Sequence, residues 1–175
     1  NPAVAGAGLY VDADGAGVHN SDATLDVYDG SHSLKMWGMY AGGQNMWGSV
    51  YQTFHVDSIG GAGAQFDISA FMMSHADDWI GQGMNEAYLF VSFFNADWAF
   101  LGSSLSHKMD RTMPPSEWHQ FFALAVVPEG AVHMNAGVEY WQVSGNDHGS
   151  VYFDDVNMFV PVTQSIIRVT HEELV

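Results

Sequence analysis

Two adjacent carboxylates, Asp154 and Asp155, interrupt the most strand-like stretch of the chain, GSVYFDDVNMFVP at residues 149–161. Successive side chains of a strand point to opposite faces of the sheet. We therefore expect one acid to face the interior of the fold or its edge, and the other to face outward. An unpaired buried carboxylate is costly, so this pattern requires a compensating charge.

Calcium is the partner that the composition favours for these acids. The chain has 4 Lys and Arg residues against 20 Asp and Glu residues, so salt-bridge partners are scarce. Ca²⁺ binds carboxylates, backbone carbonyls and water in flexible geometry. The sequence thus predicts a Ca²⁺ cofactor with Asp154 and Asp155 among its ligands; the alternative is two solvated acids at a strand end.

Aromatic side chains beside amides and acids are the second set of residues with binding chemistry. Sugar rings present C–H faces that can lie flat on Trp or Tyr, while nearby polar groups bind the hydroxyls. Candidate ligand-binding residues lie beside turns or on the polar face of a strand: Trp47, Phe71, Trp79, Trp98, Glu139 and Trp141. The alternative is that 6 Trp, 7 Tyr and 11 Phe residues cannot all be buried, so some exposed aromatics are expected.

Catalytic signatures are missing from the sequence. The G-x-S-x-G elbow, the H-E-x-x-H zinc motif and the phosphate-binding glycine loops do not occur. A retaining glycosidase needs two carboxyl groups about 5 to 5.5 Å apart that flank one bond. Neighbouring strand residues on opposite faces cannot both flank it, so we predict binding without catalysis.

The charge balance excludes some partners. A formal net charge of −16 repels phosphate backbones and anionic lipid surfaces, so nucleic acid is not an expected partner. The longest apolar run, AYLFVSFF, is broken by Ser92 and is shorter than the roughly 18 residues of a membrane helix, so membrane insertion is not expected. There is no cysteine, hence no disulfide framework.

The elements that must position these residues are strands. Apolar residues alternate with polar ones in AQFDISAFMM (residues 64–73) and in VHMNAGVEYW (residues 132–141), the period of a half-buried strand. Glycine- and proline-rich turns separate these runs from further strand candidates. The pattern predicts one all-β domain over residues 1–175, an antiparallel sandwich or barrel, with an extended arm at 1–11 and a tail at 162–175.

Five segments occur in an order that resembles carbohydrate-binding modules of the family 4/9/16/22 type. They are YDGSHSLKMWG (28–38), VYQTFHV (50–56), FDISAFMM (66–73), SEWHQFFA (116–123) and GSVYFDDVNM (149–158). The resemblance implies an antiparallel β-sandwich of the jelly-roll type, a structural Ca²⁺ and a face or groove that binds polysaccharide.

The start of the chain departs from that family. Where the family has Phe and Glu after Asn-Pro, NPAVA has Val4 and Ala5, and the missing Glu belongs to the family's calcium site. The resemblance then implies a calcium site rebuilt from Asp12, Asp14 or Asp29, or another role for this segment. Residues 12–23 are not an EF-hand, because Ala16 and Ala23 occupy two ligand positions.

Two functions follow from these expectations. The first is a non-catalytic, calcium-stabilised carbohydrate-binding module of a secreted protein whose leader has been removed. The second is a structural subunit of an extracellular filament or surface layer, in which terminal strands such as NPAVAGAGLYV or SIIRVT pair with a neighbouring copy.

Overall fold

The computed structural model describes residues 9–13, 19–39, 45–145 and 147–159; for residues 9–13, 19, 20 and 22 it describes the backbone. Ten β-strands occur in these ranges. They are β1 (Leu9–Ala13), β2 (His19–Ala23), β3 (Ser33–Trp37), β4 (Met46–His55), β5 (Gln65–Met73), β6 (Glu86–Phe94), β7 (Phe100–Leu105), β8 (His119–Val126), β9 (His133–Gln142) and β10 (Ser150–Phe159). Three short 3₁₀ helices lie in the connections, at Val56–Ile59, Ala76–Asp78 and Ile80–Gln82.

The strands form two five-stranded antiparallel sheets that pack face to face. Sheet A has the order β1-β4-β9-β6-β7, and sheet B has the order β2-β3-β10-β5-β8. Every strand pair within the two sheets is antiparallel. The predicted antiparallel β-sandwich is therefore confirmed.

The core lies between the sheets and is built from the alternation seen in the sequence. In β5 the residues of the hydrophobic core are Phe66, Ile68, Ala70 and Met72. In β9 they are Met134, Ala136, Val138 and Tyr140. Because successive side chains of a strand point to opposite faces, the remaining side chains of these strands lie on the outer faces of the sheets, which a ligand can reach.

Strand β10 contains a β-bulge at the two acids. Its register with β5 shifts between Asp154 and Asn157, and Asp155 has a φ of 48°. Asp154 is half-buried and Asp155 is exposed. The two acids therefore differ in exposure as expected, but neither is buried in the core, because the bulge breaks the strict alternation of the strand.

Part of the predicted N-terminal arm is a strand of sheet A. Leu9, Tyr10 and Val11 pair with Gln52, Tyr51 and Val50 of β4. Residues 1–8 and the predicted tail at 162–175 lie outside the described residues.

Among the described residues, no helix is both long and apolar enough to cross a bilayer.

Candidate functional site

A pocket of about 310 Å³ opens on the outer face of sheet A. It is lined by Asn45, Trp47, Glu139 and Trp141. Three of these four residues are among the ligand-binding candidates of the sequence. The structure therefore brings Trp47, Glu139 and Trp141 together, although Trp47 belongs to β4 and the other two to β9.

The register of β4 and β9 places the two tryptophans side by side. Trp47 lies directly opposite Trp141, and Ser49 lies opposite Glu139. Residues that face each other across an antiparallel pair have Cβ atoms about 4.5 to 5.5 Å apart, so the two indoles share one patch of surface. Their strand neighbours Met46 and Tyr140 point the other way, into the core.

Trp141 is fixed from both sides of the sheet. Its Nε1–H donates to Oδ1 of Asn45 at 3.1 Å. The next residue, Gln142, is fully buried, and its side-chain amide donates to the carbonyls of Met39 at 2.9 Å and Ser144 at 3.0 Å. These bonds hold the end of β9, so the indole is presented in a defined orientation.

Glu139 is the acid of the pocket. Burial raises the pKa of its carboxyl group above the ordinary value. Its cross-strand neighbour on β6 is Tyr88, whose pKa is also raised, by burial first and then by a hydrogen bond with Glu86. The Tyr88 hydroxyl therefore remains a donor, and Glu139 is a half-buried acceptor at the side of the two indoles.

A cluster of charged side chains lies beside the pocket, on the side of β6. Glu86 accepts hydrogen bonds from the Tyr88 hydroxyl and from Nζ of Lys108. Lys108 Nζ also lies 3.6 Å from Oδ2 of Asp110. This part of the face has three carboxylates, counting Glu139, and one ammonium group, so it favours neutral or cationic ligands over anionic ones.

The middle of the same face is an aromatic floor. The rings of Tyr51 and Phe90 meet edge to face with centroids 6.2 Å apart, on the strands that flank Gly137. A Cβ atom at position 137 would lie 2.6 Å from Cα of Tyr51 and 2.1 Å from the carbonyl oxygen of Val50. Glycine therefore keeps the floor flat where the strands approach closely.

Trp98 lies on this face too, at the opposite end of β9. It packs against His133 of β9 and Phe94 of β6. These two residues are paired across the two strands, and both lie on the outer side of sheet A. Trp98 is thus the fourth ligand-binding candidate of the sequence that lies on the same face as the pocket.

The remaining two ligand-binding candidates lie elsewhere. Phe71 is on sheet B, where the ring of Tyr28 covers it at a centroid distance of 3.6 Å. Trp79 packs against the hydrophobic core, and its Nε1 atom is buried. The structure does not bring these two residues to the pocket.

Asp154 is held by backbone N–H groups. Its Oδ2 accepts from Tyr28 at 2.8 Å and from Asp29 at 3.1 Å, and its Oδ1 accepts from Asp155 at 2.7 Å. Three donors aimed at one carboxylate stabilise its negative charge. These bonds hold the carboxylate in place but do not use all of its lone pairs, so Asp154 stays a predicted Ca²⁺ ligand.

Two of the other predicted metal ligands lie next to Asp154, because the backbone N–H groups of Asp29 and Asp155 donate to its carboxylate. Oδ1 of Asp155 accepts from Asn157 at 2.7 Å, and Oδ1 of Asp29 accepts from Gly30 at 2.8 Å. Asp12 belongs to β1 in the other sheet, with its side chain outside the description, and Asp14 lies outside the described residues. Within the described part of the chain, no group of three or more His, Asp or Glu side chains is placed to hold a metal ion. Calcium stays a prediction, with all five acids as candidate ligands.

Sequence reasoning missed three residues of this face. Asn45 was seen only as part of a turn, and Tyr51 and His133 were not singled out. His133 could have been found, because it follows the same alternation as Glu139 and Trp141. Asn45 could not, because its contact with Trp141 spans 96 residues of sequence.

Comparison with solved structures identifies the fold. The chain is similar to the CBM22-1–GH10 modules of Clostridium thermocellum endo-1,4-β-D-xylanase 10B, solved with xylohexaose, with 14% identity and a TM-score of 0.59. It is similar to the C-terminal family 22 carbohydrate-binding module of the same enzyme, with 12% identity, a TM-score of 0.59 and 88% of each chain covered. The sandwich has the fold of family 22 carbohydrate-binding modules.

A third structure agrees. The CBM22-2 xylan-binding domain of Paenibacillus barcinonensis Xyn10C shares 17% identity, with a TM-score of 0.54, 86% of this chain and 91% of that chain covered. The match to the C. thermocellum modules covers 87% of this chain and 26% of that chain, so this chain spans about a quarter of the length of that structure. No protein-family model and no curated protein matches the sequence.

Proposed function

We propose that this protein is a non-catalytic polysaccharide-binding module whose ligand binds on the outer face of sheet A. One observation carries the proposal: Trp47, Trp141, Glu139 and Asn45, from two strands and a turn, converge on a single pocket. The fold supports it, because the similar solved structures are carbohydrate-binding modules.

The chemistry of the pocket suits a neutral sugar. The paired indoles of Trp47 and Trp141 offer an apolar surface for the C–H face of a ring, and Glu139 accepts hydrogen bonds from hydroxyl groups. The acids of the pocket and the net charge of −16 oppose uronic acids and sulfated glycans. Xylan is the first ligand to test, since two of the similar structures are described with xylan or xylohexaose.

The absence of catalysis in this proposal is supported by the fold, because similar solved structures are carbohydrate-binding modules. Glu86, on the strand next to Glu139, accepts hydrogen bonds from Tyr88 and Lys108 and contributes to the charge beside the pocket.

Affinity gel electrophoresis tests this proposal. Migration of the wild type should be retarded by xylan, and the variants Trp47→Ala and Trp141→Ala should migrate freely. Phe122→Ala is a matched control, because Phe122 is an aromatic residue with 53% exposure on the other sheet. If no polysaccharide of a broad neutral panel retards the wild type, or if the control loses binding as well, the proposal fails.

Calcium binding and secretion belong to the same proposal. A polysaccharide ligand places the protein outside the cell. A dication held by some of the predicted ligands (Asp12, Asp14, Asp29, Asp154 and Asp155) would reduce the repulsion among 20 acids, and calcium-dependent melting is its test.

Self-assembly is a second candidate function, favoured by strand β8. This strand is an edge of sheet B, and three of its outward side chains are exposed apolar residues, Phe122, Leu124 and Val126. An exposed apolar edge is a surface that invites a further strand. Since Leu9–Val11 already pair with β4, we assign the donor to residues 165–170 (SIIRVT) of a second copy.

Truncation after Phe159 tests this assignment by sedimentation velocity. The full chain should form large species and the truncated chain should be monomeric. Assembly that persists after truncation, or a full chain that is monomeric at every concentration, would contradict it.

A further inference from the structure

The outer face of sheet A carries a second aromatic cluster at the end remote from Trp47. Phe94, His133 and His55 are cross-strand neighbours on β6, β9 and β4. The indole of Trp98 stacks on the imidazole of His133, with centroids 4.3 Å apart and ring planes 3° apart. Trp98 remains 51% exposed, so a large part of the indole is open to solvent.

The position of Trp98 is imposed by its loop. Oδ1 of Asn95 accepts the backbone N–H groups of Asp97 and Ala99, both at 2.9 Å. The backbone N–H of Asn95 donates to Ala99 at 3.0 Å, and that of Trp98 donates to Asn95 at 3.1 Å. Trp98 itself has a φ of 61°, a conformation that side chains other than Gly and Asn adopt rarely. Such strain persists only where the surroundings over-determine it, so the loop holds an exposed indole on His133 at a conformational cost.

The outward-facing residues of β9 lie between this cluster and the pocket. Between His133 and Trp141 the outward positions of β9 are Asn135, Gly137 and Glu139. The Thr53 hydroxyl donates to Oδ1 of Asn135 at 2.8 Å, and at Gly137 no side chain projects from β9. Eight residues of an antiparallel strand rise about 27 Å, so the two ends are far enough apart for several sugar rings in a row.

We propose that Trp98, supported by His133, is a second contact for the same polysaccharide chain, so that the site spans the length of β9 and prefers long oligosaccharides to short ones. This inference rests on the proposed function. The ligand is then an extended, neutral chain that lies along the strands. A compact or strongly branched glycan could not touch both ends at once.

Isothermal titration with β-1,4-linked xylose oligomers, from disaccharide to hexasaccharide, tests the inference. The affinity of the wild type should rise with length, and Trp98→Ala should lose about tenfold for the hexasaccharide, equivalent to about 1.4 kcal/mol. The same variant should bind the disaccharide as the wild type does. His133→Ala, which removes the support of the indole, should lose part of the gain with length.

Two controls separate the possible failures. Trp47→Ala should weaken binding of both the short and the long oligomers, and Phe122→Ala should change neither. If Trp47→Ala weakens binding but Trp98→Ala binds the hexasaccharide as tightly as the wild type, the second contact is refuted and the proposed function stands. If the wild type binds no polysaccharide of the broad neutral panel, both fall. An unchanged melting temperature shows that Trp98→Ala is folded.

Discussion

At the scale of single residues, Asp154 has the clearest structural role. Its carboxylate accepts three backbone N–H groups, two of them from Tyr28 and Asp29, more than 120 residues earlier in the chain. The bonds fix that turn beside β10, and the Tyr28 ring then covers Phe71, which pairs with Asp154 in the sheet. A residue that looked like a metal ligand thus joins two distant segments.

Replacing Asp154 by Asn should destabilise the fold by about 1 to 3 kcal/mol, because one oxygen and an N–H₂ group then face three donors. Chemical denaturation measures the change. Asp155→Asn is the matched control: Asp155 is exposed and its Asn157 contact survives as an amide oxygen, so the loss should be within about 0.5 kcal/mol. Equal losses in the two variants, or an Asp154→Asn effect that vanishes in chelator, would contradict the role of backbone donors.

The raised pKa of Glu139 makes stability depend on pH. Burial disfavours the charged form in the folded state, so the contribution of this carboxyl is favourable below its ordinary pKa and is lost as pH rises through the raised value. Glu139→Gln should therefore have the higher melting temperature at pH 7, and the difference should disappear in acid. Melting curves across this range check it; a difference that does not vary with pH would show that burial of the charge is not its cause.

At the scale of elements, strands β5 and β9 could be predicted and the bulge in β10 could not. The inward residues of β5 and β9 are read directly from a period of two. The bulge depends on the N–H donors of residues 28–29, a contact between distant segments that no local pattern contains.

The exposed edge strand β8 yields a prediction for assembly. Leu124→Lys places a charge in the centre of the apolar stripe, at a side chain that is 64% exposed. Folding stability should change by no more than about 0.5 kcal/mol, and sedimentation should show a smaller assembly than for the wild type. Ser103→Lys, on edge strand β7 of the other sheet, should leave assembly unchanged. A Leu124→Lys protein that assembles like the wild type would remove β8 as the contact.

At the scale of the whole molecule, the sequence predicted the sandwich and several residues of the proposed binding face. Five ordered segments and the strand period were enough for the architecture, and turn or polar-face positions singled out Trp47, Trp98, Glu139 and Trp141. What they could not supply was the pairing of β4 with β9, which places Trp47 opposite Trp141 across 94 residues of sequence. Phe71 and Trp79 have similar local surroundings in the sequence, and long-range packing alone separates them from the site.

The effect of calcium on the melting temperature of this acidic protein tests whether the ion is bound. A dication bound by the predicted acidic ligands would add stability by mass action, so EDTA should lower the melting temperature and added Ca²⁺ should restore it. Mg²⁺ at the same ionic strength controls for simple screening of a net charge of −16. A melting temperature that EDTA leaves unchanged would remove calcium from the account.

The central claim, that sugar binds on the outer face of sheet A, is tested most directly by the indole N–H signals of the 6 tryptophans in a two-dimensional NMR titration with xylohexaose. The account predicts that the signals of Trp47 and Trp141 shift most and that of Trp98 follows, while those of Trp79 and Trp118 stay in place. Shifts confined to Trp79 and Trp118, or no shift at any indole at saturating ligand, would contradict it.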